Sequence, residues 1–217
     1  MLRTKFEEEL DKLHNQFYSM GTEVLAQLNK SVRAFVSHDR DLAKEVIEED
    51  VVINEFETKL EKKSLEIIAL QQPVSNDLRT VITVLKASSD IERIGDHASS
   101  ISKATIRMKG EERIPVVEEQ INLMGKAVKH MVEDALNAYI NNDEAKAYEI
   151  AAHDEVIDNF YREIQALAVE EIKKTPDAAF AGKEYFQVLM YLERIGDYAR
   201  NLCEWIVYLK TGKIIEL

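Results

Sequence analysis

Two identical pentapeptides have the spacing best suited to chemistry: Glu92-Arg93-Ile94-Gly95-Asp96 and Glu193-Arg194-Ile195-Gly196-Asp197. In a helix, residues four apart stand on one face, so each pentapeptide presents two carboxylates side by side. Paired hard oxygens at that spacing can chelate one cation or bridge two. A second acidic pair, Asp154 and Asp158, has the same spacing, and its counterparts in the first half are Asp50 and Asn54. All these positions fall on the flank of an apolar stripe and therefore face the groove beside a neighbouring helix. The residues thus offer one oxygen-lined metal site per half, Asp50, Asn54, Glu92 and Asp96 in the first, Asp154, Asp158, Glu193 and Asp197 in the second. The plainer alternative is a solvated acidic face, in a chain with 40 acidic residues. Arg93 and Arg194 then serve as simple salt-bridge partners. Gly95 and Gly196 each cost a helix about 1 kcal/mol against alanine. Their recurrence at matched positions points to a close backbone approach, for packing or for ligand access.

The elements that must position these groups are helices. Apolar residues step by three or four almost throughout, as in Leu10, Leu13, Phe17, Met20, Val24, Leu28, Val32 and Phe35, and no strand-like alternation appears. The breaks predict helices over 3–36, 40–70, 76–108, 116–140, 144–173 and 183–210. Asp39 and Asp143 are expected as N-caps, Ser75 as a cap of the third helix, and Pro115 at a first helical position. A shift of 104 matches Met20-Gly21 to Met124-Gly125, Asp39 to Asp143 and Phe56 to Phe160, and a shift of 101 superposes the two pentapeptides. The expected fold is all-α, six helices as two tandem, pseudo-symmetric antiparallel three-helix bundles, over residues 1–110 and 111–217.

Composition narrows the function. The net charge of −12 disfavours nucleic acid and anionic lipid, and favours cations and basic partner surfaces. Cys203 is the single cysteine, so no internal disulfide forms, which fits a reducing compartment, and its expected place is a packed helix face. The start, MLRTKFEEELDKL, has no apolar core of signal-peptide length, and no stretch approaches the ~20 apolar residues of a membrane span. A cytoplasmic protein without direct membrane insertion is expected.

Catalysis finds little support. Glu-x-x-His, the di-iron pattern, is absent, with Asp11-Lys12-Leu13-His14 the nearest approach. There is no G-x-S-x-G, phosphate-binding loop or cysteine pair. No catalytic residue is assigned. His97 and His153, each beside an acidic candidate, are read as outer groups of the metal sites. Arg79 and Arg93 are of the type that grips phosphate, without a glycine-rich cradle.

The run Asn76-Asp77-Leu78-Arg79 through Asp90-Ile91-Glu92-Arg93-Ile94-Gly95-Asp96-His97-Ala98, the Gln72-Pro73-Val74 turn and Leu192-Glu193-Arg194-Ile195-Gly196-Asp197 resemble the signature of the PhoU family. The resemblance extends over the whole chain, in length and in doubled plan. It implies a negative regulator of phosphate uptake and of phosphate-starvation signalling, not an enzyme. The implied partners are the ATPase subunit of the phosphate ABC transporter and the sensor histidine kinase of the phosphate two-component system, reached at the inner face of the membrane, and a homodimer is left open. It also implies surface clusters of iron, zinc or another divalent metal bridged by carboxylates. Asn54 where the second half has Asp158 weakens the first site, and on charge alone the second is expected to bind metal more tightly. Tyr198 stands where the first half has His97. The remaining readings are a metal-storage or di-metal carboxylate bundle, and a structural adaptor with empty sites.

Overall fold

The computed structural model describes residues 2–217, with side chains from Phe6 onward; Met1, where the first expected unit begins, lies outside the described residues. The regular elements of the described chain are all helices: α1 (Leu2–Ser37), α2 (Arg40–Gln71), α3 (Ser75–Arg107), α4 (Pro115–Asn141), α5 (Glu144–Ala152), α6 (Asp154–Lys174) and α7 (Ala179–Thr211). Local signals set several boundaries. The Asp39 carboxylate accepts from the backbone N–H groups of Asp41 and Leu42, and that of Asp143 from Lys146, so both aspartates are the expected N-caps. Pro115 opens α4, and Gly212 closes α7 at φ 74°. Ser75 does not cap α3. It is the first helical residue, with φ 49°, and Val74 precedes the helix without a side-chain cap.

Two boundaries depart from the periodicity. The fifth helix is broken at His153 into α5 and α6, a residue before Asp154, whose carboxylate is drawn to an arginine of α7. The sixth begins at Ala179, after a 3-10 turn at Pro176–Ala178, so Gly182 lies inside the helix. A Cβ on Gly182 would stand 2.2 Å from Ile172 Cδ1, so this glycine admits the end of α6 rather than ending α7.

Helices α1–α3 make one antiparallel bundle and α4–α7 the other, and a single apolar core runs through both. The bundles meet along two antiparallel helix pairs. In the α3–α7 pair, Asp90 accepts from Trp205 Nε1 at 2.8 Å, and Arg107 donates to the fully buried Glu184 at 2.6 Å. His97 stacks between them on Tyr191 and Tyr198, its ring centroid 5.5 and 5.8 Å from theirs. In the α1–α4 pair, a Cβ on Gly21 would stand 2.5 Å from Leu136, and one on Gly125 2.7 Å from Val32. Val32 and Leu136 are 104 apart, as are the two glycines, so the repeated Met-Gly marks a pseudo-twofold crossing. Beside it the Glu118 carboxylate is buried, held by Arg113, His38 and the Tyr185 hydroxyl at 2.6, 2.8 and 3.1 Å.

Candidate metal centres

Each half brings its acidic candidates to the groove between its second and third helices. In the first half, α2 supplies Asp50 and α3 supplies Glu92 and Asp96. The backbones approach closely because Gly95 has no side chain. A Cβ there would stand 3.3 Å from Ile53 and 3.0 Å from the Gln27 carbonyl oxygen. Gln27 of α1 is buried, and its amide N–H donates to Asp50 at 3.2 Å. The glycine thus serves the packing of α2 on α3, the first of the two reasons its recurrence suggested.

The carboxylates of this half act on one another. Burial pushes the Glu92 carboxyl up to about 7, helped by the negative charges of Asp96, Glu57 and Asp50 and opposed by Arg93. Asp50 is likewise raised by burial, with Asp96 adding to it and the Gln27 amide opposing. Glu57, which accepts from the Ser89 hydroxyl at 2.6 Å, belongs to this cluster, and the motif did not reveal it. It stands seven residues after Asp50, on the same helix face, and position 161 of the second half holds tyrosine instead. Asn54 is exposed and is bound to none of these carboxylates among the described residues. Glu57 adds negative charge near Glu92, whereas Asn54 adds none.

The second half repeats the frame with a different charge balance. Gly196 lets Ile157 and the Asp154 carboxylate approach α7, to 3.3 and 3.2 Å from where a Cβ would be. Asp154 is almost fully buried and raised by burial, while Asp158 is exposed at the rim. Glu193 is also raised by burial, and Asp197 adds to the effect. Into this cluster reaches Arg200, which donates to Asp154 through one nitrogen and to Asp197 at 3.2 Å through the other. Its counterpart in the first half is Ser99. The second groove is thus bridged by a tethered guanidinium, whereas the cations of the first are exposed: Arg93, 3.6 Å from Asp96 and 3.8 Å from Glu92, and Lys103, whose charge acts on Asp50. Among the described residues the carboxylates of neither half converge on one point with three or more ligands.

The histidines stand apart from this chemistry. His97 lies in the α3–α7 seam, where burial lowers its proton affinity. His153 caps the end of α5 and is exposed. Cys203 is fully buried, and burial pushes its thiol up to about 12, in keeping with a packed residue.

Comparison with known proteins agrees with this doubled plan. The family model described as PhoU domain matches residues 17–105 and 121–206, one stretch in each half. The "Phosphate-specific transport system accessory protein PhoU homolog" of Clostridium acetobutylicum is 36% identical over 218 residues, covering 100% of this chain and 99% of its own. The protein of the same name from Streptococcus pneumoniae serotype 4 is 36% identical over 216 residues, covering 100% of both. The crystal structure of the phosphate transport system regulatory protein PhoU from Streptococcus pneumoniae superposes with a TM-score of 0.91 at 34% identity, covering 98% of this chain and 100% of that one. PhoU from Pseudomonas aeruginosa gives 0.89 at 34% identity, covering 96% and 100%. By sequence over its full length and by fold, the chain belongs to the PhoU family.

Proposed function

We propose that this protein is a non-catalytic regulator that restrains phosphate uptake and phosphate-starvation signalling. It does so by binding the ATPase subunit of a phosphate ABC transporter and the sensor histidine kinase of the phosphate two-component system. The observation that carries this reading is full-length membership of a family whose relatives are named as accessory and regulatory proteins of phosphate transport. No helix among the described residues is long and apolar enough to cross a membrane. Contact with a transporter at the cytoplasmic face is therefore made through proteins. A net charge of −12 makes such contacts with basic partner surfaces sensitive to salt. The test is a phosphate-starvation reporter and a phosphate-uptake assay in phosphate-replete cells, with and without the gene. Deletion should switch the reporter on and raise uptake; unchanged repression together with unchanged uptake refutes the reading.

The carboxylate grooves are read as cation sites of unequal character. Asp50, Glu57, Glu92 and Asp96 do not meet at one point, but a hard divalent cation drawing them together would supply the positive charge that no buried side chain of this half provides. In the second half Arg200 already neutralises Asp154 and Asp197, so the four carboxylates there fit a metal less well. On this reading the first half binds metal more tightly, the opposite of the order expected from Asp158 and Asn54 alone. Iron, zinc and manganese contents of Glu92→Ala/Asp96→Ala and Glu193→Ala/Asp197→Ala proteins decide the order. Greater loss from the first-half pair is expected. A metal-storage or di-metal oxidase role has less support, since its Glu-x-x-His ligands are lacking.

A further inference from the structure

Away from the acidic grooves, helices α1 and α4 leave a groove of about 340 Å³ on one side of their glycine crossing. Its rim carries Arg33 from α1 and Lys126 and Lys129 from α4, with the Asn122 amide beside them, and its floor is Val32 and Val36. No carboxylate lines it. Several lysines of this acidic chain pair with acids one turn away, as in Lys44–Asp41, Lys59–Glu55 and Lys146–Glu149. The side chains of Arg33, Lys126 and Lys129 form no ion pair or hydrogen bond among the described residues; the Ser37 hydroxyl donates to the Arg33 backbone carbonyl. Arg33 acts weakly on Glu45, a carboxylate that Lys30 already bonds at 2.6 Å. Three cations facing one hollow repel one another unless an anion joins them.

The pseudo-twofold supplies a comparison within the molecule. The positions matched to Arg33, Lys126 and Lys129 on the other side of the crossing are Asn137, Thr22 and Leu25. The same helix packing is therefore made without any of the three charges, so packing does not account for them. The volume is that of a small-ligand site rather than of a macromolecular groove. Lysines three apart on one helix, opposed by an arginine fork, match adjacent phosphoryl groups. Charge-assisted bonds to phosphate are the strongest such groups form.

We propose that the α1–α4 groove binds an oligophosphate anion through Arg33, Lys126 and Lys129. The ligand is a nucleoside polyphosphate or an inorganic polyphosphate chain, and binding is independent of the regulatory reading above. The full chain is titrated calorimetrically with ATP, tripolyphosphate, orthophosphate and polyglutamate. A chelator is present, so that no cation tethers the probe to the carboxylate grooves. ATP and tripolyphosphate should bind more tightly than orthophosphate, and more weakly as salt rises. Equal affinity of the first two assigns recognition to the phosphate chain. Tighter binding of ATP adds its nucleoside on the Val32 and Val36 floor. Lys126→Gln/Lys129→Gln should lower affinity about 100-fold, roughly tenfold for each charge-assisted contact. Thr22→Ala/Asn137→Ala, on the opposite side, should leave it unchanged. These positions are at the surface, and unaltered dichroism and melting confirm that the variants fold. The proposal is overturned if neither phosphate chain binds, if orthophosphate binds as tightly, or if the double lysine substitution has no effect. Preferential binding of polyglutamate also overturns it, marking an acidic-protein surface instead.

Discussion

Arg200→Ala should destabilise the protein and make its stability responsive to divalent cations. Asp154 retains only 7% of its exposure, and Arg200 is the cation that satisfies it. Removing one partner of a fully buried ion pair costs about 3–5 kcal/mol, because the other charge is left uncompensated. Two features reduce that figure here. The Arg200 side chain is 33% exposed, so water already screens part of the attraction. Asp154 already favours its proton through burial, and without Arg200 it can take one rather than stay charged. The expected loss is about 2–3 kcal/mol at neutral pH, or roughly 5–10 °C in melting temperature for a chain of this size. The loss should be smaller at pH 5, where protonation of Asp154 is easier. Scanning calorimetry in chelator, repeated with excess manganese or zinc, measures both effects. The metal should raise the melting point of the variant more than that of the parent, since the vacated groove then resembles that of the first half. A loss below 0.5 kcal/mol, or equal metal response in the two proteins, would show that Arg200 is not the counter-cation of this groove.

Other perturbations probe the rest of the frame. Glu92 holds its proton more tightly in the fold than in the unfolded chain, so its cost is absent at low pH and grows as pH rises from 4.5 through about 7. Glu92→Gln should therefore stabilise the metal-free protein at pH 8 relative to pH 5, by about 1–2 kcal/mol after allowing for screening; urea unfolding in chelator at both pH values, with no difference between the variant's gains, would contradict it. Gly125→Ala gains about 1 kcal/mol of helix propensity but presses a methyl group against the stiff Val32 side chain at 2.7 Å. Overpacking of about 1–3 kcal/mol should prevail, and a raised urea midpoint would show that α1 and α4 yield more easily than their contact implies. Asp90→Asn should loosen the α3–α7 seam by weakening the acceptor of the Trp205 indole N–H, costing about 1 kcal/mol; unchanged indole fluorescence and stability would mean that this hydrogen bond is dispensable.

The helices were legible because long apolar stripes, aspartate caps and a proline start all favour the same local conformation. The acidic pentapeptides were legible because four-residue spacing fixes their shared face. What escaped the sequence were pairings across helices. Arg200 reads locally as a partner of Asp197 three residues before it, and only the fold brings Asp154 to it. Glu57 stands outside the pentapeptides and joins their cluster through the approach of α2 to α3. Both had a faint signal, since the repeat sets Arg200 against Ser99 and Glu57 against Tyr161. The break at His153 had no proline or glycine to announce it. Gly182 suggested a helix end because a glycine that admits a neighbouring side chain has the same identity as one that stops a helix.

The crossing of α1 and α4 has a consequence for how such a molecule arose. Each half contributes both a glycine notch and the branched side chain that fills the notch of the other, Gly21 with Val32 and Gly125 with Leu136. A surface that carries plug and socket together is complementary to a copy of itself. An ancestral half-length chain with this face could close a twofold dimer without any heterologous partner. Gene fusion would then have freed the two copies to diverge, giving the second an arginine in its acidic groove and two lysines on its crossing helix, and the first an arginine facing them.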